Sequence, residues 1–169
     1  MELELHPAVS LKPRSFNILI TSERMLVEAL RNQPVLGRYK VLYIAGNYSR
    51  ILNRIERKFA ELEIRRAFTA FQLLTILEEA CHTLVLIEHD PSLYEDSSEI
   101  LGYISFAMKE ASNSATVLLY SPKLDPTIET ISDMADRVFY FRNEASGERR
   151  SAQSRYKPSP DLQRTLGAF

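Results

Sequence analysis

Glu88-His89-Asp90 is the one run of three consecutive side chains that could ligate a metal. A carboxylate–imidazole–carboxylate set of this kind can hold Mg²⁺ or Zn²⁺. Consecutive residues point in different directions, however, and no second ligand cluster of recognisable spacing occurs. A capped strand end followed by a turn at Pro91 is the plainer alternative, and no metal or other cofactor is expected. Cys81, the sole cysteine, lies next to His82. Neighbours in sequence seldom present a thiol and its base to each other, and Cys81 follows an apolar helix face, so a buried small residue is expected. There is no G-x-S-x-G elbow, and His6 has no evident partner.

Phosphate chemistry leaves a clearer trace by what replaces it. A phosphate-binding loop needs glycines, so that backbone N–H groups can close on the anion, and a lysine for the terminal phosphate. The chain has 5 glycines, the first of them Gly37, with no G-x-G and no G-K-S/T. The turn after the first apolar run reads Thr21-Ser22-Glu23-Arg24-Met25. P-loop nucleotide hydrolysis is therefore not expected.

Two basic features remain. Arg50, Arg54 and Arg57 share one helix face opposite Ile51, Ile55 and Phe59, which is either a solvated face or an anion-binding one. From Arg142 onward, Arg142, Arg149, Arg150, Arg155, Lys157 and Arg164 outnumber Glu144, Glu148 and Asp161. Such a local excess can bind a phosphate backbone, with Tyr156 as a stacking ring. It can equally keep an edge hairpin soluble.

These residues must be positioned by short β-rich runs that alternate with helical patterns. Residues 15–20, 40–45, 64–68, 83–88, 115–120 and 137–141 read as strands, several of them apolar throughout, as strands buried on both faces should be. Residues 25–31 and 71–80 read as helices. Ile51, Ile55, Phe59 and Leu62 recur at helical spacing, as do Leu101, Ile104, Met108 and Ala111. Asp125-Pro126 opens a further helix, with Ile128, Ile131 and Met134 as its buried stripe. Strand–helix alternation predicts an α/β fold with a mostly parallel central sheet and helices on both faces. Ligands in such sheets bind at the carboxyl ends of the strands.

The chain has 169 residues, 45% hydrophobic and 25% charged, with a net charge of −1. These values fit one globular domain and give no chain-wide basic field. Residues 1–14 read as an N-terminal arm and 143–169 as an edge hairpin and tail, the stretches least like core. No segment has the roughly 18 apolar residues of a membrane span. The acidic N-terminus lacks the features of a signal peptide. A cytoplasmic location, or a nuclear one in a eukaryote, is expected.

Read together, these segments resemble the ATPase core of the RecA/RadA recombinase superfamily, closest to RadA and RadB-type paralogues. Lys40-Val41-Leu42-Tyr43-Ile44, Arg66-Ala67-Phe68, Gln72-Leu73-Leu74, Leu77-Glu78-Glu79-Ala80, Leu84-Val85-Leu86-Ile87-Glu88 and Ser92-Leu93-Tyr94 follow that family's order. Ala135-Asp136-Arg137, Gly147-Glu148-Arg149-Arg150 and Ser159-Pro160-Asp161-Leu162 match its late hairpin. The resemblance implies a RecA-like three-layer fold with a C-terminal antiparallel edge hairpin turning near Gly147. It places a lost Walker A motif at Ser22, Glu23 and Arg24, the catalytic glutamate at Asn47 and the Walker B acid at Glu88.

With these departures, the resemblance implies an inactive ATPase homologue, a non-catalytic accessory subunit in homologous recombination or DNA repair. Its partner would be a RadA-type recombinase or another paralogue in an oligomer or hetero-complex, with DNA bound weakly if at all. Arg24 and Tyr48 are the expected partner-interface residues. The alternatives are a regulatory module of a KaiC-like ATPase system, or a metal-dependent enzyme using Glu88, His89 and Asp90.

Overall fold

The computed structural model describes residues 2–55, 59–95 and 98–142, together with the backbone of 153–156. Among the described residues, the strands and α-helices run in the order β1 (Leu3–His6), β2 (Val9–Leu11), β3 (Phe16–Ile20), α1 (Glu23–Arg31), β4 (Lys40–Ala45), α2 (Leu52–Ile55), β5 (Glu61–Arg66), α3 (Ala70–Glu78), β6 (Leu84–Glu88), α4 (Ser98–Ala111), β7 (Thr116–Ser121), α5 (Pro126–Ser132), β8 (Arg137–Tyr140) and β9 (Gln153–Tyr156). The central sheet has the order β5-β4-β6-β7-β3-β8-β9. Every pairing from β5 through β8 is parallel, and β9 closes the edge antiparallel to β8, with Arg137 opposite Tyr156. The expected mostly parallel sheet and antiparallel edge pairing are thus present; the turn near Gly147 lies outside the described residues.

Alternation along each strand divides the core into two layers. Leu42, Ile44, Val85, Ile87, Val117 and Leu119 face α3, α4 and α5, meeting Leu73, Leu77, Ile104, Met108, Ile128 and Ile131. Val41, Tyr43, Leu84, Leu86 and Leu118 face the other way, onto α1 and α2 through Leu26, Val27, Leu30, Ile51 and Ile55. β3, β6 and β7 are buried along their whole length, because a parallel sheet with helices on both sides leaves its central strands no solvent face. The helices start where side chains can satisfy their first N–H groups: Ser22, Thr69 and Asp125 cap α1, α3 and α5.

Four expectations from the sequence are corrected. Residues 1–14 are not an arm outside the core: β1 and β2 form an antiparallel hairpin. Its Leu3, Leu5, Val9 and Leu11 are at most 3% exposed and complete the α1 layer. His6 does have partners, since its Nδ1 accepts the Ala8 N–H at 3.1 Å and its ring meets Phe141 edge-on. Leu62 belongs to β5 rather than to the helix before it, and β5 ends at Arg66, leaving Phe68 exposed. At the edge of the sheet β5 has little apolar surface to hide, which is why its run of Glu, Leu, Glu, Ile, Arg and Arg does not look like a buried strand. Met134 lies beyond the end of α5 and is exposed, so the buried stripe of that helix is Ile128 and Ile131. Among the described residues no helix is long and apolar enough to cross a membrane.

Leu11 is fully buried. Leu11→Ala should cost about 2–5 kcal/mol of stability through lost burial and a residual cavity, measured by urea unfolding. A loss below about 1 kcal/mol would show that the hairpin is not part of the core.

Candidate functional site

The carboxyl ends of β4, β6 and β7 open into a cleft of about 510 Å³ lined by Tyr48, Arg50, Glu88, His89, Tyr120 and Asp125, among others. Glu88 ends β6 at its floor. One of its oxygens accepts the Tyr43 hydroxyl at 2.5 Å and the Ser49 hydroxyl at 2.6 Å; the other accepts the Arg50 N–H at 2.9 Å. Three donors on one buried carboxylate are charge-assisted hydrogen bonds, which are among the strong ones. They tie β6 to β4 and to the loop after it. Burial, with the Glu88 charge beside it, pushes the Tyr43 hydroxyl far above the ordinary phenol range, so it remains a donor. Burial, reinforced by Glu23 and Glu88, likewise pushes Tyr120 up to about 12.

His89 and Asp90 line the same cleft but engage other partners. His89 Nε2 lies 2.8 Å from Asp125 Oδ2, and its ring stacks on Tyr94 at 5.7 Å. Asp90 caps the short turn Pro91–Tyr94 by accepting the Ser92 N–H and hydroxyl at 3.0 and 2.6 Å. Its carboxylate lies directly over Gly46, where a Cβ would come within 2.0 Å of Oδ2; the absent side chain makes that approach possible. The capped strand end, one of the two readings of this tripeptide, is what the geometry contains. Glu88, His89 and Asp90 engage three separate sets of partners. Among the described residues no group of three or more His, Cys, Asp and Glu is arranged to hold a metal ion.

On the β3 side, two residues, Thr21 and Ser22, connect the strand to α1. The Ser22 hydroxyl accepts the Met25 N–H at 3.3 Å, and the Thr21 N–H is given to the Ser121 carbonyl. Glu23 stands in the first turn of α1 and pairs with Arg54 at 2.8 Å. A carboxylate there is favourable to the helix dipole and hostile to an incoming phosphate.

The expected site residues are brought together only in part. Tyr48 and Arg50 join Glu88 at the cleft, and Glu23 joins Arg54 across α1 and α2. Arg24 is highly exposed and pairs with Glu28 along its own helix, away from the cleft lining. Asn47 is exposed, and its carbonyl accepts Arg66 Nη1 at 3.2 Å. Tyr48 is 87% exposed. Arg142 is exposed, while Arg57, Arg149, Arg150, Lys157 and the side chain of Arg155 lie outside the described residues. Cys81 is exposed rather than buried, because α3 ends at Glu78 and leaves it on the loop, 3.7 Å from Lys40 Nζ. Its neighbour His82 turns inward to Glu63. Sequence reasoning missed Tyr43, Ser49 and Asp125 as partners at this edge, and the Asp-Pro cap was the one available signal for Asp125.

The fold is one known from solved structures. The chain superposes on a KaiC-like protein of Pyrococcus horikoshii with a TM-score of 0.58 at 11% identity, covering 88% of this chain and 82% of that one. It also superposes on the flagellar accessory protein FlaH of Methanocaldococcus jannaschii, with a TM-score of 0.54 at 12% identity, covering 86% and 79%. The expected RecA-like α/β fold is therefore the fold observed. In sequence, the chain is 29% identical over 140 residues to an uncharacterized protein of Archaeoglobus fulgidus, spanning 79% of this chain and 72% of that protein. No protein-family model matches the chain.

Asp125 gives this edge a pH signature. Burial pushes its carboxyl upward, but the Ile128 N–H, His89 and the Thr127 N–H outweigh that and hold it below the ordinary carboxylate range. A depressed folded-state pKa contributes stability that is present above the unfolded value near about 4 and is lost as pH falls through the folded value. Asp125→Asn keeps a residue suited to the cap and removes that titration. The variant should lose less stability than the wild type between about pH 4 and pH 2, followed by urea unfolding at stepped pH. Superimposable acid limbs would overturn this assignment.

Proposed function

We propose that this chain is a non-hydrolysing subunit of RecA-like fold that acts by binding a partner, within a KaiC-like ATPase system. The observation that carries this reading is the closed β3–α1 connection. Two residues span it, Ser22 caps the helix, and an acid occupies the first turn. A phosphate needs free backbone N–H groups and positive charge at that place, and this turn supplies neither a glycine nor a lysine. Glu88 supports the same reading. Its oxygens already accept three donors, so ligating a metal would break bonds that hold β4 and β6 together. Asn47 stands where the resemblance puts the catalytic glutamate, and an amide cannot take a proton from water at neutral pH. The likeness of fold to a KaiC-like protein and to FlaH favours the KaiC-like setting.

A second reading, an accessory subunit to a RadA-type recombinase or paralogue, is favoured by the antiparallel β8–β9 edge, in the region where the RadA resemblance calls for a hairpin. The basic residues Arg142, Arg149, Arg150, Arg155 and Lys157 would then carry weak, salt-sensitive contact with DNA.

Calorimetric titration with Mg-ATP should show no binding at micromolar concentrations; a micromolar or tighter dissociation constant would overturn the non-hydrolysing reading. Affinity capture from the native cell should return a KaiC-like or motility ATPase, whereas capture of a recombinase would establish the second reading instead. With that partner in hand, Arg24→Ala and Tyr48→Ala should each weaken retention at least about fivefold, as truncations of interface Arg and Tyr anchors commonly do. Full retention by both variants would rule out an interface anchored by Arg24 or Tyr48.

A further inference from the structure

The amino ends of the strands hold a second pocket, on the opposite edge of the sheet from the cleft. The segments before β3, β4, β6 and β7, four strands adjacent in the sheet, converge there and enclose about 290 Å³ lined by Pro13, Arg14, Arg38, Tyr39, Thr83 and Ser114 among others. Ligands in parallel sheets ordinarily sit at the other edge, so the charge at this one needs an account. Two guanidiniums line the pocket, and among the described residues no carboxylate does. Of the other described arginines, Arg24, Arg54 and Arg65 pair with carboxylates and Arg31, Arg66 and Arg137 bond backbone carbonyls; Arg50, beside the cleft, and Arg142 have no such side-chain partner among the described residues. The exposed side chains of Arg14 and Arg38 likewise have no partner among the described residues, and they differ from Arg50 and Arg142 in lining one pocket together.

The backbone adds an independent observation. Arg14 has a φ of 54°, and it is the one non-glycine residue in the left-handed region among those described. It follows Pro13, in the place where a turn of this kind favours glycine, and the Ser15 hydroxyl braces the turn on the Lys12 carbonyl at 2.6 Å. Strain held by its surroundings tends to mark a side chain in use. Glycine would relieve the backbone here and would remove the guanidinium.

We propose that this pocket binds a phosphate group, gripped between Arg14 and Arg38 with the half-buried Tyr39 as its wall. Guanidinium forks match phosphate oxygens in geometry and charge. The Thr83 hydroxyl is already engaged with the backbone of Lys40, so recognition falls to the two arginines and the Tyr39 hydroxyl. Burial pushes that hydroxyl up, which keeps it a donor. The volume accommodates a phosphate and the sugar it is attached to, at the small end of ligand pockets. Two sources offer that chemistry: a small phosphate monoester, or the backbone of a nucleic-acid strand. This pocket shares no lining residue with the cleft and does not rest on the partner proposed above.

The test is titration of the full chain with inorganic phosphate, followed by backbone amide resonances of residues 14, 15, 38 and 39. Saturable shifts confined to this edge are expected. Arg14→Gly should weaken them at least about fivefold without lowering the melting temperature, and Arg38→Gln should do the same; the double variant should abolish them. Ribose 5-phosphate and a ten-residue oligothymidylate separate the sources. The probe that saturates the same resonances at the lower concentration per phosphate names the physiological one. Shifts that do not saturate in the wild type, or that survive in the double variant, would overturn the proposal.

Discussion

A parallel sheet whose central strands have no solvent side must be covered twice, and that requirement organises the molecule. The α3, α4 and α5 layer has helices enough to cover one face. The other face has α1 and the short α2. The uncovered remainder is filled by the β1–β2 hairpin, whose four apolar side chains reach the same cluster as Phe139 and Phe141. The hairpin is thus part of the second wall. Its apolar side chains alternate with Glu4 and Ser10, which face away from the core or are half-buried.

The same economy governs the carboxyl edge. Each carboxylate at the cleft already has internal donors: Glu88 has Tyr43, Ser49 and the Arg50 N–H; Asp90 has Ser92; Asp125 has His89 and the start of α5. Acids engaged in this way hold loops in register. Releasing one to ligate an ion would leave a buried donor or charge without its counterpart, a costly exchange in a low-dielectric floor. The chemistry suggested by the types of these residues differs from the chemistry their neighbours allow.

That difference also marks how far the sequence can be read. Apolar runs at 40–45, 84–88 and 115–120 declare strands buried on both faces, because the requirement acts on every residue of the strand. The cap at Asp125 is legible because capping is local. The hydrogen-bond partners of Glu88 stand 38, 39 and 45 residues away, and Asp125, the hydrogen-bond partner of His89, stands 36 away, so no spacing rule reaches them. The hairpin carries a signal, the alternation Leu3-Glu4-Leu5 and Val9-Ser10-Leu11. That signal is faint because it comes from two short strands in a polar stretch, a pattern that needs a wall to lean on before it means anything. Cys81 departs from expectation for a simpler reason: a helical stripe predicts burial only as far as the helix continues.

The second wall also fixes an order of events. Residues 3–11 leave the ribosome before the rest of this domain, yet Phe139 and Phe141 of the same core cluster, and the Arg137 guanidinium that bonds the Ser10 carbonyl, come 127 or more residues later. Until those residues emerge, Leu3, Leu5, Val9 and Leu11 have no complete surface to enter. The α3–α4 side, built from contacts much closer in sequence, can consolidate before that. The apolar hairpin is therefore exposed until residues 137–141 have been made, a period in which a nascent chain is prone to association. Residues 137–141 act as the latch that ends it.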